Sequence, residues 1–163
     1  MKAATRIWGL VSALLVLAAE GAVHVDGLSE IQNKAVRLVM EDFHTKDHLK
    51  NGFKFSSLVR KEETEYAAGI FVNVEFTVKQ TTCPKHHWMK SDCEYNQKGY
   101  VFNCFACFKF EYETHKVLSQ VIDCVRPRFV QGRGNQRNKT CTEVAMKTAG
   151  TRIVGSYSFV KTE

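Results

Sequence analysis

Hydrophobic residues recur every three or four positions between Leu28 and His48, and this spacing predicts an amphipathic helix. Ser29 and Gln32 form a capping box, in which each side chain accepts a hydrogen bond from the other residue's backbone N–H. This motif marks the start of the helix. The apolar side of the helix consists of Ile31, Ala35, Leu38, Val39 and Phe43.

After Phe43 the apolar residues alternate with polar ones, which is typical of a strand. Within residues 67–83, the alternation predicts an antiparallel strand with one buried and one exposed face. A shorter strand is expected before it, over residues 51–60. The predicted buried face carries Ile70, Val72, Val74, Phe76 and Val78, and the exposed face carries Asn73, Glu75, Thr77 and Lys79.

Two further strand-like segments, residues 99–113 and 115–125, flank a predicted turn. Cys104 and Cys124 are symmetric about Thr114, so a hairpin that turns there places them opposite each other. The same register pairs Ala106 with Ile122, Phe108 with Gln120, and Phe110 with Leu118.

Cys107 lies three positions from Cys104 and therefore points to the opposite face of its strand. At ~3.3 Å per residue the two are roughly 10 Å apart, too far for a disulfide. A redox role for the CFAC motif is excluded because a redox pair of this spacing needs a helix start.

Residues 126–139 combine five basic residues with no acidic one, and they also contain Pro127, Gly132 and Gly134. This composition predicts a cationic loop, which is a candidate contact for heparin or anionic membranes. A final strand is expected over residues 141–147. The motif KHHWMK at 85–90 is interpreted as an ordinary basic loop tip, because neighbouring histidines point apart and no carboxylates complete a metal site.

The N-terminal residues indicate export. Lys2 and Arg6 precede an apolar run over residues 7–19, which is too short to span a membrane but is typical of a signal peptide. Cleavage is expected after Gly21, with Ala22 as the alternative. Removal of residues 1–21 leaves 163 − 21 = 142 residues with 21 basic and 16 acidic side chains, a net charge of +5.

All six cysteines lie beyond the predicted signal peptide, and an even number in an exported chain indicates disulfides. Fifteen pairings are possible. Asn138 and Thr140 form an N-glycosylation sequon, which predicts that Asn138 is at the surface. No catalytic triad, phosphate-binding loop or unpaired thiol is expected, so the sequence points to a non-enzymatic protein without a cofactor or a nucleic-acid partner.

One helix, an antiparallel sheet and two consecutive cysteine pairs resemble the secreted cystatin fold. The closer resemblance is to the chemerin-like family, through MEDFH at 40–44, AGIFV at 68–72, VEFTVKQTTC at 74–83 and CFAC at 104–107, together with the six-cysteine spacing. It implies an α+β domain over residues 22–154, with an N-terminal helix packed on a curved antiparallel sheet. The disulfides implied by the resemblance are Cys83–Cys93, Cys104–Cys124 and Cys107–Cys141.

Chemerin-like proteins are exported chemoattractant and adipokine precursors, and proteolytic trimming of the C-terminus lets them activate a chemokine-like G-protein-coupled receptor. The resemblance implies a removable stub, residues 161–163, with processing by serine proteases at Val160 or Lys161. The implied receptor-binding segment consists of Gly155, Ser156, Tyr157, Ser158, Phe159 and Val160.

Two other functions are compatible with this fold. Inhibitory cystatins insert a glutamine-valine-glycine hairpin into cysteine proteases, but the corresponding residues 56–63 lack both glutamine and glycine, and a proline-tryptophan second loop is missing. A cathelicidin-like antimicrobial role is the other alternative. Tyr157 and Phe159 could instead form a last edge strand on the core.

Overall fold

The computed structural model describes residues 23–147. The predicted signal peptide, the domain limits at residues 22 and 154, and the segment 155–163 lie outside the described residues. Two helices, α1 (Glu30–Thr45) and α2 (Val130–Met146), flank a sheet of four strands. The strands are β1 (Asn51–Tyr66), β2 (Gly69–Pro84), β3 (Val101–Phe110) and β4 (Val117–Val125), and short 3₁₀ helices occupy Lys85–His87 and Pro127–Phe129.

Helix α1 begins where the capping box predicts. The Ser29 hydroxyl accepts a hydrogen bond from the Gln32 N–H at 3.2 Å, and the Gln32 side-chain oxygen accepts one from the Ser29 N–H at 3.1 Å. Removing such a cap costs a helix about 1 kcal/mol. The apolar side of α1 packs on one face of the sheet, called the inner face below, and buries Ala35, Val36 and Val39 completely.

The sheet is antiparallel throughout, with the order β1-β2-β3-β4. The alternation predicted for β2 is confirmed on its inner face, where Val72, Val74, Phe76 and Val78 are fully buried. The opposite face, called the outer face below, differs from the prediction. Asn73 and Glu75 are buried there rather than exposed, because α2 covers this side of the sheet.

The predicted hairpin register is confirmed for three of its four pairs. Cys104 lies opposite Cys124, Ala106 opposite Ile122, and Phe108 opposite Gln120. Phe110 lies opposite Val117 rather than Leu118, so the fourth pair is wrong by one residue. A hydrogen bond from the Glu111 N–H to the Lys116 carbonyl at 2.9 Å closes the turn. The pairing next to the turn is therefore shifted by one residue relative to the rest of the hairpin.

Strand β1 is longer than predicted and continues to Tyr66, with irregular pairing between residues 51 and 60. The chain then reverses through Ala67 and Ala68. Gly69 has a φ of +130°, and a Cβ atom there would lie 2.2 Å from the Phe110 carbonyl oxygen. Only glycine fits this close approach of two strands.

The predictions for the chain after Val125 are wrong. Residues 126–139 are not a loop, and residues 141–147 are not a strand, because Pro127–Phe129 and α2 occupy this stretch. Helix α2 has no side-chain N-cap and contains Gly132 and Gly134, each of which costs a helix about 1 kcal/mol relative to alanine. Contacts with the outer face must therefore stabilise this helix, since its own sequence does not favour it.

Three disulfides cross-link the fold: Cys83–Cys93, Cys104–Cys124 and Cys107–Cys141. These are the pairs implied by the resemblance. The first closes the loop after β2, the second joins β3 to β4, and the third joins β3 to α2.

Candidate functional site: helix α2 and the outer face of the sheet

The predicted receptor-binding residues Gly155, Ser156, Tyr157, Ser158, Phe159 and Val160, and the predicted processing site at Val160 and Lys161, lie outside the described residues. The described part of this region is α2, which ends at Met146, eight positions before Val154. The contacts of α2 therefore determine the point from which residues 148–163 continue.

Helix α2 runs in the same direction as β3 and contacts it at regularly spaced positions. Every second residue of the strand meets every fourth residue of the helix. A two-residue step on a strand covers about 6.6 Å and a four-residue step on a helix about 6 Å, so the two repeats stay in register over three contacts. The contacts are Phe105 with Arg137, Cys107 with Cys141, and Lys109 with Ala145.

The first contact lies within a network of buried charges. Arg137 is only 5% exposed. Its guanidinium donates to the Asp123 carboxylate at 2.8 Å, to the Glu75 carboxylate at 3.3 Å and to the Asn103 side-chain oxygen at 2.7 Å. Two carboxylates balance the permanent charge of the planar guanidinium, so this is a compensated buried ion pair. Removing one member of such a pair strongly destabilises the protein.

The second contact is covalent, and its surroundings are partly polar. The Asn73 side-chain nitrogen lies 3.3 Å from Cys141 Sγ, while its oxygen has no hydrogen-bond partner among the described residues. Phe71, Phe105 and Val144 complete a second, small apolar cluster around the Cys107–Cys141 disulfide. This cluster is separate from the main core beneath α1.

The third contact buries a lysine. Lys109 is 1% exposed, and its ammonium donates to the Ala145 carbonyl in the last turn of α2 at 3.3 Å. The ammonium also lies 4.1 Å from the centre of the Tyr66 ring, within cation–π range. Burial lowers the pKa of Lys109 below its usual value, because the charged form loses its hydration.

Among the basic residues predicted to form a cationic loop, one is buried and three contact neighbouring side chains at the surface. Arg137 is buried, and Arg133 lies 3.4 Å from Asp123 at the surface. Arg126 and Arg128 stack on exposed aromatic rings, at 4.4 Å from the Tyr100 ring centre and 4.7 Å from that of Phe129. The cationic surface of this segment is therefore smaller than its sequence suggests.

Asn138 lies on the exposed side of α2, as a glycosylation site requires. The Thr142 hydroxyl donates to the Asn138 carbonyl at 3.0 Å, so the backbone here is part of the helix. Attachment of a glycan at Asn138 stays a prediction.

The segment corresponding to a cystatin inhibitory hairpin does not form a hairpin turn here. Residues 56–63 lie within β1, and the chain reverses only at Ala67 and Ala68.

The KHHWMK motif begins with the 3₁₀ helix Lys85–His87, and Trp88 is buried against His44, with 4.4 Å between ring centres. Trp88 thus contributes to packing.

Within residues 23–147, no three His, Cys, Asp or Glu side chains are grouped so that they could hold a metal ion. Neither α1 nor α2, the two α-helices in this range, combines the length and the hydropathy that a membrane-spanning helix needs.

Sequence reasoning did not identify Lys109 or Arg137 as important residues. A signal existed for Arg137, since it lies one helical turn before Cys141, but it is visible only if the segment is taken as a helix. Lys109 follows Cys107 by two positions and therefore shares its face of the strand, which sequence alone could have indicated.

The family model of cathelicidins matches residues 30–128. A crystal structure of dimeric human cystatin F is similar with a TM-score of 0.44 and 18% sequence identity, covering 58% of this chain and 79% of that one. The family-model match defines the class as cathelicidin-like proteins.

Curated relatives narrow this class. Retinoic acid receptor responder protein 2 from Mus musculus is 31% identical over 135 residues, which is 81% of this chain and 82% of the relative. The protein of the same name from Homo sapiens is 35% identical over 115 residues, or 71% and 69% of the two chains. The one from Bos taurus is 25% identical over 138 residues, or 82% and 85%. The chain belongs to the retinoic acid receptor responder protein 2, or chemerin, family.

Proposed function

We propose that this protein is exported as a ligand precursor and that proteolytic removal of residues 161–163 lets residues 155–160 activate a chemokine-like G-protein-coupled receptor. The observation that carries the proposal is the family membership, over about four fifths of the chain in the mouse relative. The protein would act as a chemoattractant and adipokine, without enzymatic activity of its own.

Tyr157 and Phe159 are proposed as the receptor anchors. Burying one large apolar side chain contributes roughly 1.5–3 kcal/mol, so the pair is worth up to about four decades of affinity. Both aromatic residues are present before and after trimming. The switch must therefore come from the residues that follow them.

The residues removed by trimming are Lys161, Thr162 and Glu163. Lys161 and Glu163 cancel in charge, so their loss does not change long-range electrostatic attraction. In the precursor, however, an ammonium and a carboxylate would have to enter a desolvated pocket, which is costly. Trimming removes this cost and leaves a carboxylate on Val160, which a cation of the receptor could bind.

The described domain supports a scaffold role. Three disulfides, an antiparallel sheet and a helix on each face form a rigid base from which residues 148–163 continue. A rigid base lowers the entropy lost when a ligand binds.

The test compares the full-length protein with a form that ends at Val160. Both are applied to cells that express a chemokine-like receptor and to cells that lack it, with calcium release and migration as measurements. We expect the shorter form to be at least 10-fold more potent, in receptor-bearing cells only.

Two variants of the shorter form test the anchors. Phe159→Ala should raise the half-maximal concentration by about 10- to 100-fold, as expected for loss of one buried aromatic side chain. Phe129→Ala, which removes an exposed aromatic side chain outside residues 155–160, is the matched control and should stay near the parent value. Equal potency of the full-length and shorter forms would contradict the proposal.

A further inference from the structure

We infer that Cys107 and Lys109 form a two-point clamp on α2 and that Lys109 is the positioning residue that fixes the last turn of this helix, from which residues 148–163 continue. The relevance of this clamp to signalling rests on the function proposed above for residues 155–160. The clamp itself is argued from the described residues alone.

The two attachment points lie on one face of β3 and on one side of α2. Cys107 is bonded to Cys141, and the Lys109 ammonium holds the Ala145 carbonyl one helical turn later. A single attachment lets the end of a helix pivot about that point. A second attachment about 6 Å further along the helix removes this freedom.

The second attachment meets a specific need of the helix end. The last four carbonyl groups of an α-helix have no partner within the helix, and the last turn therefore frays. Lys109 donates to one of these carbonyls from inside the protein, where the negative end of the helix dipole also favours a positive charge. The Lys147 N–H closes the turn onto the Val144 carbonyl at 3.2 Å.

A lysine is an unusual choice for this position if packing alone mattered. Arg137 has two carboxylate partners, but among residues 23–147 no carboxylate lies within 4.0 Å of the Lys109 ammonium. A methionine would fill nearly the same volume without the desolvation cost, and such replacements of buried charges are often neutral or stabilising. A contribution to the stability of the whole fold therefore does not explain the charged group at this position. Its hydrogen bond to the end of α2 does.

Loss of the clamp would lengthen the stretch of chain between the last anchored residue of α2 and the receptor-binding segment. With both points in place, residues 148–154 separate the anchored helix end from Gly155, which is 7 residues. With Val144, which is buried in the apolar cluster around the disulfide, as the last fixed point, residues 145–154 do so, which is 10 residues. When domain and segment contact the same receptor, effective concentration falls with about the −3/2 power of linker length, or about 1.7-fold here.

The test uses Lys109→Met in the full-length protein and in the form that ends at Val160. Lys116→Met, on the exposed turn after β3, is the matched control. We expect amide hydrogen exchange at residues 145–147 to rise about 10-fold, while stability to denaturant is unchanged or higher. The half-maximal concentration of the shorter form should rise about 2-fold. Lys116→Met should leave all three measurements unchanged.

A structural role without positioning predicts the opposite pattern, namely lower stability with unchanged exchange at residues 145–147, and this result would overturn the clamp. Faster exchange with unchanged potency would overturn its role in presentation, while the proposed function stands. If the unsubstituted shorter form is inactive, the proposed function fails, and the exchange measurement still decides whether Lys109 holds the helix end.

A second variant covers the case in which Lys109→Met does not fold. Tyr66→Leu removes the ring next to the ammonium at a partly exposed position. It should produce a smaller rise in exchange at the same three residues. No rise in this variant, with Lys109→Met unfolded, would also count against the clamp.

Discussion

Replacing His44 with phenylalanine should destabilise the protein and remove part of its sensitivity to acid. His44 is buried and bridges α1 and β1. Its Nδ1 lies 2.6 Å from the Met40 carbonyl, and its Nε2 accepts a hydrogen bond from the Phe53 N–H at 3.0 Å. Because Nε2 is the acceptor, Nδ1 carries the proton, and the ring is neutral. Phenylalanine keeps the stacking on Trp88 but cannot accept from Phe53.

The expected loss of stability follows from the orphaned Phe53 N–H. A buried donor left without a partner costs about 1–3 kcal/mol, so the free energy of unfolding at pH 7.5 should fall by that amount. A second effect is electrostatic. Burial lowers the pKa of His44, and the charge of Lys85 adds to this effect, while the hydrogen bond to Met40 opposes it.

The sign of the pH dependence follows from this lowered pKa. In the unfolded chain His44 binds a proton near its ordinary pKa of about 6.5, whereas in the folded protein it does so only at lower pH. The stabilisation is therefore complete above about pH 6.5 and is lost as the pH falls through the folded-state pKa. For one proton the slope cannot exceed about 1.4 kcal/mol per pH unit.

Urea unfolding between pH 8 and pH 5, with the disulfides intact, measures this contribution. The native protein should lose stability below about pH 6.5 more steeply than His44→Phe. His48→Gln, which removes an exposed histidine, should follow the native curve. If the native protein and His44→Phe gave parallel curves below pH 6.5, the buried neutral histidine would not be a source of acid sensitivity.

Two further substitutions test the outer face and the β1–β2 turn. Arg137→Met should lower the free energy of unfolding by about 3 kcal/mol, because it leaves the buried Glu75 carboxylate without a partner among the described residues, whereas Arg133→Met, at the exposed partner of Asp123, should cost under about 1 kcal/mol. If denaturant unfolding gave similar losses of unfolding free energy for Arg137→Met and Arg133→Met, the distinction between the buried and the exposed arginine would be refuted. Gly69→Ala should cost more than Gly27→Ala in the same assay, because both have a positive φ but only the first brings a Cβ against the backbone of β3. Equal losses would show that the contact is relieved without cost.

Local patterns along the chain were sufficient for much of the architecture. The capping box at Ser29 and Gln32 sets the start of α1 through contacts three residues apart, and the period-two alternation of β2 fixes its inner face. The register of β3 and β4 follows from symmetry about one turn, because antiparallel pairing constrains all pairs once one is known. The predicted pair next to the turn is wrong by one residue, because symmetry about Thr114 does not include the geometry of the turn itself.

Local sequence patterns therefore account for the capped helix α1, the alternating strand β2 and most of one hairpin. Contacts between distant parts of the chain were needed to show that residues 130–146 are a helix, that the outer face of the sheet is buried and that Lys109 lies beneath the end of that helix. Gly132, Gly134 and the missing N-cap argue locally against α2. The helix forms because Arg137, Cys141 and Ala145 meet partners on the strand β3, and these long-range contacts have no signature in the order of neighbouring residues.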